Sequence, residues 1–266
     1  MLYIVATPIG NLKDITFRAL EVLKAVDYIL CEDTRVSRIL LNHYDIKTPL
    51  KSYHKFNEKK FLESILTDLK NFKEIALISD AGTPIISDPG NILVKEAIKN
   101  NLKITTIPGA NSVISALTLS DMDTLPFQFL GFFKDEFLNR IIFYDGISIF
   151  FESSKKILKT IEKIKKIDPE RNISIFKELT KKFETRIYKK AKDLHEYLLK
   201  NPLKGELTIL VDRGEINNDI EIEIEECILL LQRYFGLDLK EAMKKCALIK
   251  KISKKEVYNK IKKSNP

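Results

Sequence analysis

Ser79-Asp80-Ala81-Gly82-Thr83-Pro84-Ile85-Ile86-Ser87-Asp88-Pro89-Gly90 follows the short apolar run Ile75-Ala76-Leu77-Ile78 and precedes an apolar-periodic segment that begins at Asn91. It reads as the loop at the carboxyl end of a buried strand. In an open α/β sheet, strand ends and helix starts expose unpaired backbone groups around a crevice, and ligands settle there. Gly82 and Gly90 permit dihedrals or close approaches that a Cβ would block. Pro84 and Pro89 stiffen the loop and push Thr83 and Asp88 towards extended conformations. Such a loop either holds a small molecule against main-chain amides or merely turns the chain.

The same pattern recurs on both sides of it. Leu2-Tyr3-Ile4-Val5-Ala6 is strand-like and runs into a second Gly/Pro loop, Thr7-Pro8-Ile9-Gly10-Asn11-Leu12. A helix follows, with Thr16 as its cap and Leu20, Leu23 and Val26 on one face. Tyr28 to Cys31 is the next apolar strand and ends at Glu32-Asp33-Thr34-Arg35. Val36 to Tyr44 and Glu58 to Lys70 read as helices around an extended Pro49 to His54. Beyond the opening loop come a helix from Asn91 to Lys99, a strand from Lys103 to Ile107, Pro108-Gly109-Ala110-Asn111-Ser112 and a helix from Val113 to Leu119. Strand and helix alternate at least four times, which predicts a parallel sheet with helices on both faces. No Gly-x-Gly-x-x-Gly follows the first strand and no Gly-x-x-x-x-Gly-Lys-Ser/Thr occurs, so phosphate is not the main handle on the ligand.

Ser120 to Pro126 interrupts the apolar pattern and sets the expected boundaries: an N-terminal α/β domain over 1–120, a second α/β domain over 121–215, and a linker with a helical tail over 216–266. The strands expected in the second domain, Phe127 to Phe133, Ile147 to Glu152, Asn172 to Leu179, Thr185 to Lys190 and Glu206 to Val211, alternate more and suit a mixed sheet. Ile216 to Ile224 reads as a linker or edge. Glu225 to Phe235 and Leu239 to Ile249 are helical, and Ser253-Lys254-Lys255-Glu256 has the form of a capping box opening a third helix. Helix, turn and lysine-rich helix together read either as a helix-turn-helix or as a solvated cap.

The 266 residues suffice for two domains, and 44% hydrophobic content supplies real cores. The net charge of +8 favours anionic partners, and it gathers in the tail, where ten lysines from Lys240 to Lys263 face Asp238, Glu241 and Glu256. Three separated cysteines and three histidines give no metal-ligand spacing, so neither disulfide nor metal is expected. No apolar segment approaches the ~20 residues of a membrane span and no secretory leader is apparent; the expected compartment is cytoplasmic, with no membrane partner.

Leu2 to Thr16, Glu32 to Arg35, His54 with Asn57-Glu58, Ser79 to Gly90, Pro108-Gly109, Glu178-Leu179-Thr180-Lys181 with Glu184, and Lys204-Gly205-Glu206 occur in this order. Together they resemble the tetrapyrrole-methylase superfamily and, within it, the ribosomal RNA small subunit methyltransferase I family, from the first strand to the basic tail. The resemblance implies two α/β domains with S-adenosylmethionine in the cleft between them, a homodimer, and 2′-O-methylation of a cytidine in 16S ribosomal RNA (cytidine 1402 in the usual numbering of that RNA), free or in the assembled small subunit. The chain departs from the family pattern in three places. It has Gly131-Phe132-Phe133-Lys134-Asp135-Glu136 leading to Arg140, Phe151-Glu152-Ser153-Ser154-Lys155-Lys156 where Tyr-Glu-Ser-x-His-Arg is usual, and Ala110-Asn111 after Pro108-Gly109.

On this footing Thr7, Pro8, Gly10, Asp80, Ala81, Gly82, Thr83, Pro84 and Ser112 are candidates for holding the cofactor. A 2′-hydroxyl is a poor nucleophile, and Glu32, Asp33, Arg35, Glu178 and Lys181 are candidates to assist its deprotonation. Asp33 and Arg35 read equally as a mutual ion pair, Asp80 as a cap of its own turn, and His54 as a hydrogen-bonded loop residue. Arg35, Arg140, Lys155, Lys156, Lys181 and Lys182, with Lys250, Lys251, Lys254 and Lys255 in the tail, are candidate phosphate contacts. Two rival functions stand beside this one: a relative that methylates a tetrapyrrole carbon or a protein side chain, and a non-enzymatic RNA-binding scaffold.

Overall fold

Apolar residues at both phases of a period-two strand require cover on both faces, and the first half of the chain meets that requirement with helices. The computed structural model describes residues 1–213, 223–250 and 252–264. These divide into two compact units, Met1–Ser115 with Glu178–Glu184, and Ala116–Lys177 with Thr185–Pro266. The first unit runs β1 (Leu2–Val5), α1 (Phe17–Ala25), β2 (Tyr28–Cys31), α2 (Thr34–His43), β3 (Leu50–Ser52), α3 (Glu58–Lys70), β4 (Ile75–Leu77), α4 (Asn91–Lys99), β5 (Ile104–Ile107) and the start of α5 (Ser112–Thr118). Its strands lie in the order β3-β2-β4-β1-β5, and every neighbouring pair is parallel.

The two faces of this sheet are separate cores. Leu2, Ile4, Tyr28, Leu30, Ile75 and Leu77 pack against Ile65, Leu66 and Leu69 of α3 and Leu93 and Ala97 of α4. Val5, Ile29, Cys31, Ala76 and Ile107 pack against Ala19 and Leu23 of α1 and Leu41 of α2. Each large aliphatic side chain buried this way contributes roughly 1.5–3 kcal/mol, so the short strands are held mainly by their helices. Helix starts are marked as their sequences predict: Thr16 accepts from Ala19 N at 3.2 Å. With all strands parallel, the loops after β1, β2, β3, β4 and β5 share one end of the sheet.

The second unit contains β6 (Phe127–Phe132), α6 (Leu138–Phe143), β7 (Ile147–Ser153), α7 (Ile157–Ile167), β8 (Asn172–Lys177), β9 (Thr185–Lys190), α8 (Ala191–Lys200) and β10 (Glu206–Val211). The order is β6-β7-β10-β8-β9, with β6 and β7 parallel and the other pairs antiparallel, the mixed sheet that the alternating sequence predicts. Isoleucines and leucines of α7 and α8 cover one face over Phe150, Ile173, Ile175, Leu207 and Ile209.

Three further helices, α9 (Ile224–Phe235), α10 (Leu239–Ile249) and α11 (Lys254–Ser264), close a small core of Cys227, Leu231, Ala242, Cys246 and Val257 on Phe143 of α6. Ser253 and Glu256 form the expected capping box, the serine Oγ accepting from Glu256 N at 3.2 Å and the Glu256 carboxylate accepting from Ser253 N at 2.7 Å. Of the expected linker, residues 216–222 lie outside the described residues, as does Lys251. Among the described residues no helix is long and apolar enough to cross a membrane.

Candidate functional site

Three of the loops at the carboxyl end of the parallel sheet are stitched to one another. Thr7 N donates to Gly82 O at 2.8 Å and Gly82 N donates back to Thr7 O at 3.1 Å, an antiparallel bridge between the loops after β1 and β4. The buried Thr7 hydroxyl donates to Ser79 O at 3.2 Å, and the buried Ser79 hydroxyl to Ala81 O at 3.2 Å. On the other side Thr83 Oγ1 donates to Ala110 O at 3.3 Å, and Asn111 Nδ2 donates to Thr83 Oγ1 at 3.4 Å. Asn111 Oδ1 also accepts from Val113 N and Ile114 N, which starts α5 and leaves Ser112 in its first turn. Gly82 sits at φ +76°, and a Cβ there would lie 3.1 Å from Ile9 Cγ2 and 3.7 Å from Ala110 O. Both the dihedral and the space call for glycine. Pro8 and Pro84 are buried beneath these bonds. Of the nine residues expected to hold a cofactor, Thr7, Pro8 and Asp80 to Pro84 are thus brought together.

Acidic groups gather at the same end. Asp33 caps α2 by accepting from Arg35 N at 2.8 Å, and its carboxylate pairs with the Arg35 guanidinium at 2.6 Å. Those bonds hold the Asp33 carboxyl down at about 2. Of the two roles open to Asp33 and Arg35, the mutual ion pair is therefore present. Asp80 does not cap its own turn. Its Oδ1 accepts from Asp33 N at 3.1 Å and so joins the loop after β4 to the loop after β2.

Desolvation pushes the Glu32 carboxyl up, and the charges of Asp80 and Asp33 push the same way against His54. Desolvation likewise raises Asp80. Asp88 is raised furthest, to about 6, by burial and then by Glu32 and Asp80. Three carboxyls raised by burial at a strand end, Asp88 further by Glu32 and Asp80, suit a cationic ligand or a proton acceptor near neutrality. In sequence Asp88 reads only as the extended residue before Pro89. Nothing in the local sequence shows that Glu32, far away along the chain, faces it.

Glu178–Glu184 belongs to this unit and meets the loop after β1. Asn11 N donates to Thr180 Oγ1 at 3.3 Å. A Cβ on Gly10 would lie 2.3 Å from Lys181 Cγ, so Gly10 makes room for the lysine stem. Lys181 Nζ pairs with Glu178 Oε1 at 3.2 Å, while Glu178 and Thr180 sit at φ +53° and +63°. A β-branched residue in that region is a strained one, held by Glu184, whose carboxylate accepts from Thr180 N at 2.8 Å. His54 is half-buried and hydrogen-bonded: its N donates to Asn57 Oδ1 at 2.8 Å and its ring Nε2 lies 3.2 Å from Asn57 Nδ2.

The candidate phosphate contacts are dispersed. Arg140 donates through Nε to Gln128 Oε1 at 2.7 Å, and Gln128 in turn donates to the buried Ser148 hydroxyl at 2.8 Å. Lys155 and Lys156 are exposed just before α7, Lys182 is exposed beside Phe183, and Lys254 and Lys255 are exposed in the first turn of α11. Lys250 caps the end of α10.

The sequence model of the family described as tetrapyrrole (corrin/porphyrin) methylases matches residues 1–195. A protein of Mycoplasmopsis pulmonis named ribosomal RNA small subunit methyltransferase I is 47% identical over 79% of this chain and 96% of its own length. Proteins of the same name from Halalkalibacterium halodurans and Bacillus subtilis are 37% and 36% identical, each over 97% of this chain and 93% of their own. Among solved structures, diphthine synthase superposes with a TM-score of 0.62 at 12% identity, covering 79% of this chain and 89% of that one. The uroporphyrin-III C-methyltransferase of Thermus thermophilus complexed with S-adenosyl homocysteine gives 0.58 at 15%, covering 79% and 96%. At such identities these two likenesses concern the fold alone.

Proposed function

The chain belongs to the tetrapyrrole (corrin/porphyrin) methylase family, and we propose that it methylates small-subunit ribosomal RNA, with S-adenosylmethionine as donor and the 2′-hydroxyl of a cytidine as acceptor. The name shared by the full-length relatives supports the substrate class. The observation that carries the cofactor is the stitched loop set. Its stiff backbone, the glycine at position 82 and the three carboxyls Glu32, Asp80 and Asp88 fit a molecule that bears a sulfonium and an α-ammonium. When bound, that cofactor supplies an activated methyl group. The chain's own part is positioning: the Thr7–Gly82 bridge and the Thr83–Ala110 bond fix the loops before any ligand arrives, and oriented reactants gain roughly 7–11 kcal/mol over free ones.

A ribose hydroxyl must lose its proton as it is alkylated. Asp88, lifted to about 6 among Glu32 and Asp80, is the carboxylate best matched to take it at neutral pH, ahead of Asp33, which Arg35 holds acidic. Glu178 and Lys181 stand on the neighbouring loop as phosphate or ribose contacts, and the exposed lysines of α11 add sequence-independent affinity for RNA. The same proposal makes the protein a cytoplasmic homodimer acting on 16S ribosomal RNA or the small subunit that contains it.

The test is transfer of tritiated methyl from S-adenosylmethionine to small subunits from a strain lacking the gene, followed by digestion of the RNA to nucleosides. Label in 2′-O-methylcytidine is expected. Label in another nucleoside would move the site, and cofactor binding without labelled RNA would move the acceptor to a tetrapyrrole or a protein.

A further inference from the structure

Phe56 is 95% exposed, and what sets it apart from other exposed phenylalanines such as Phe72 is its place at the sheet end that carries the acidic groups. It stands in the loop after β3, at the same sheet end as Glu32, because β2 and β3 are parallel with Cys31 opposite Ser52. The loop around it is braced. Phe56 N donates to His54 Nδ1 at 3.3 Å, and Asn57 ties back through Nδ2 to Ser52 O at 3.1 Å and through Oδ1 to His54 N at 2.8 Å. The His54 ring meets the Phe56 ring edge-on, with centroids 6.0 Å apart, and the field of His54 acts on Glu32. Lys55, Lys59 and Lys60, its neighbours in sequence, are exposed. Glu58, the one acid among them, is turned inward to accept from Gly90 N at 3.4 Å. The result is a solvent-facing ring on a braced loop, with three exposed lysines close to it in sequence, at the sheet end that carries the acidic groups.

We propose that Phe56 is a stacking platform for an unpaired base of the RNA substrate, with Lys55, Lys59 and Lys60 holding the adjoining phosphates. The proposal rests on the RNA substrate argued above. Single-stranded RNA is bound by aromatic faces on which bases stack, next to cations that track the backbone. Charge complementarity favours an anionic partner over an apolar protein surface. The platform would seat a base next to the nucleotide being modified and so hold the ribose in register.

The chain contains no tryptophan, so Phe56→Trp introduces a single fluorophore at the platform. Phe72, 92% exposed in the loop that leads into β4 at the other end of the same sheet, supplies the control Phe72→Trp. Titration with a short single-stranded oligocytidylate should quench the Phe56→Trp emission and leave Phe72→Trp unchanged, while a duplex of equal length should quench neither. Phe56→Ala should raise the KM for small subunits about tenfold with kcat nearly constant, the size expected for one lost base stack. Equal quenching at both positions, an unquenched Phe56→Trp that still binds the oligonucleotide in a gel shift, or an unchanged KM in Phe56→Ala would overturn the platform. Those three results leave methyl transfer by the unaltered protein standing. Absence of transfer by the unaltered protein, read separately in the nucleoside assay, is the failure of the functional reading itself.

Discussion

Replacing Asp88 by Asn is predicted to stabilise the protein while removing activity, with a pH dependence of definite sign. Burial of the Asp88 carboxyl, and after it the fields of Glu32 and Asp80, lift it from 3.8 to about 6. In the unfolded chain it ionises at its ordinary value. Above pH 6 both states are ionised, and the folded state bears the full cost of a desolvated charge among like charges. Between 6 and 3.8 the folded state holds more protons than the unfolded one, so stability falls as pH rises through that window. Below 3.8 the penalty is gone. A gap of about two pH units costs ~3 kcal/mol at pH 8 and ~1.6 kcal/mol at pH 5. Solvent on the open side of the loop screens part of this, leaving a gain for Asp88→Asn of ~1–3 kcal/mol at pH 8. The gain is read from paired urea unfolding curves of wild type and variant at pH 5, 6, 7 and 8. It should roughly halve towards pH 5. A gain independent of pH, or a loss of stability at pH 8, would refute the assignment of Asp88 as a carboxyl strained by its neighbours. Methyl transfer should fall sharply in the variant, and the acid limb of the wild-type pH–rate profile should centre near 6.

Gly82→Val places a β-branched side chain at φ +76° against Ile9, which costs about 1–3 kcal/mol in backbone strain alone; calorimetry should show cofactor affinity reduced about tenfold or more. Arg35→Ala removes the exposed partner of Asp33, so the unfolding midpoint should stay where it is while methyl transfer declines and the Asp33 carboxyl titrates at higher pH. Lys254→Glu with Lys255→Glu alters exposed side chains on α11; the salt dependence of RNA binding should flatten by about two in log–log slope, with cofactor affinity unchanged. A double variant with the wild-type slope would reduce the tail to a packed cap.

The alternation of apolar runs with helical periodicity made the parallel sheet legible, because both signals are local. Strand order is not local: nothing in Ile75-Ala76-Leu77 says that β4 inserts between β2 and β1, since that is decided by which helices cover which face. The site divides the same way. Thr7 to Gly10 and Asp80 to Pro84 were visible through their glycines and prolines. The bond from Asp33 N to Asp80, the field of Glu32 on Asp88 and the fit of Lys181 against Gly10 join residues remote in sequence and emerge only from the fold. The second unit holds a further case. Arg140, in sequence only a candidate phosphate contact, donates through Nε to Gln128, whose amide reaches the buried Ser148, a pairing that no local signal shows.

Two independent costs meet in the segment that follows Pro84. Ile85 and Ser87 stand at φ +78° and +73°, a region that a β-branched residue such as isoleucine enters only when its surroundings compel it. One residue further on, Asp88 bears a desolvated charge beside two others. Asn at 88 would relieve the second cost without touching the cores, whereas Gly at 85 would relieve the first only by removing a side chain that packs against the core of Leu77 and Leu93. A fold under pressure for stability alone would shed the second. Its presence at this strand end, on a loop set pinned by the buried hydroxyls of Thr7 and Ser79, accords with the binding and proton transfer proposed for it. On that proposal the stability that Asp88→Asn should gain and the activity it should forfeit are two readouts of one cause.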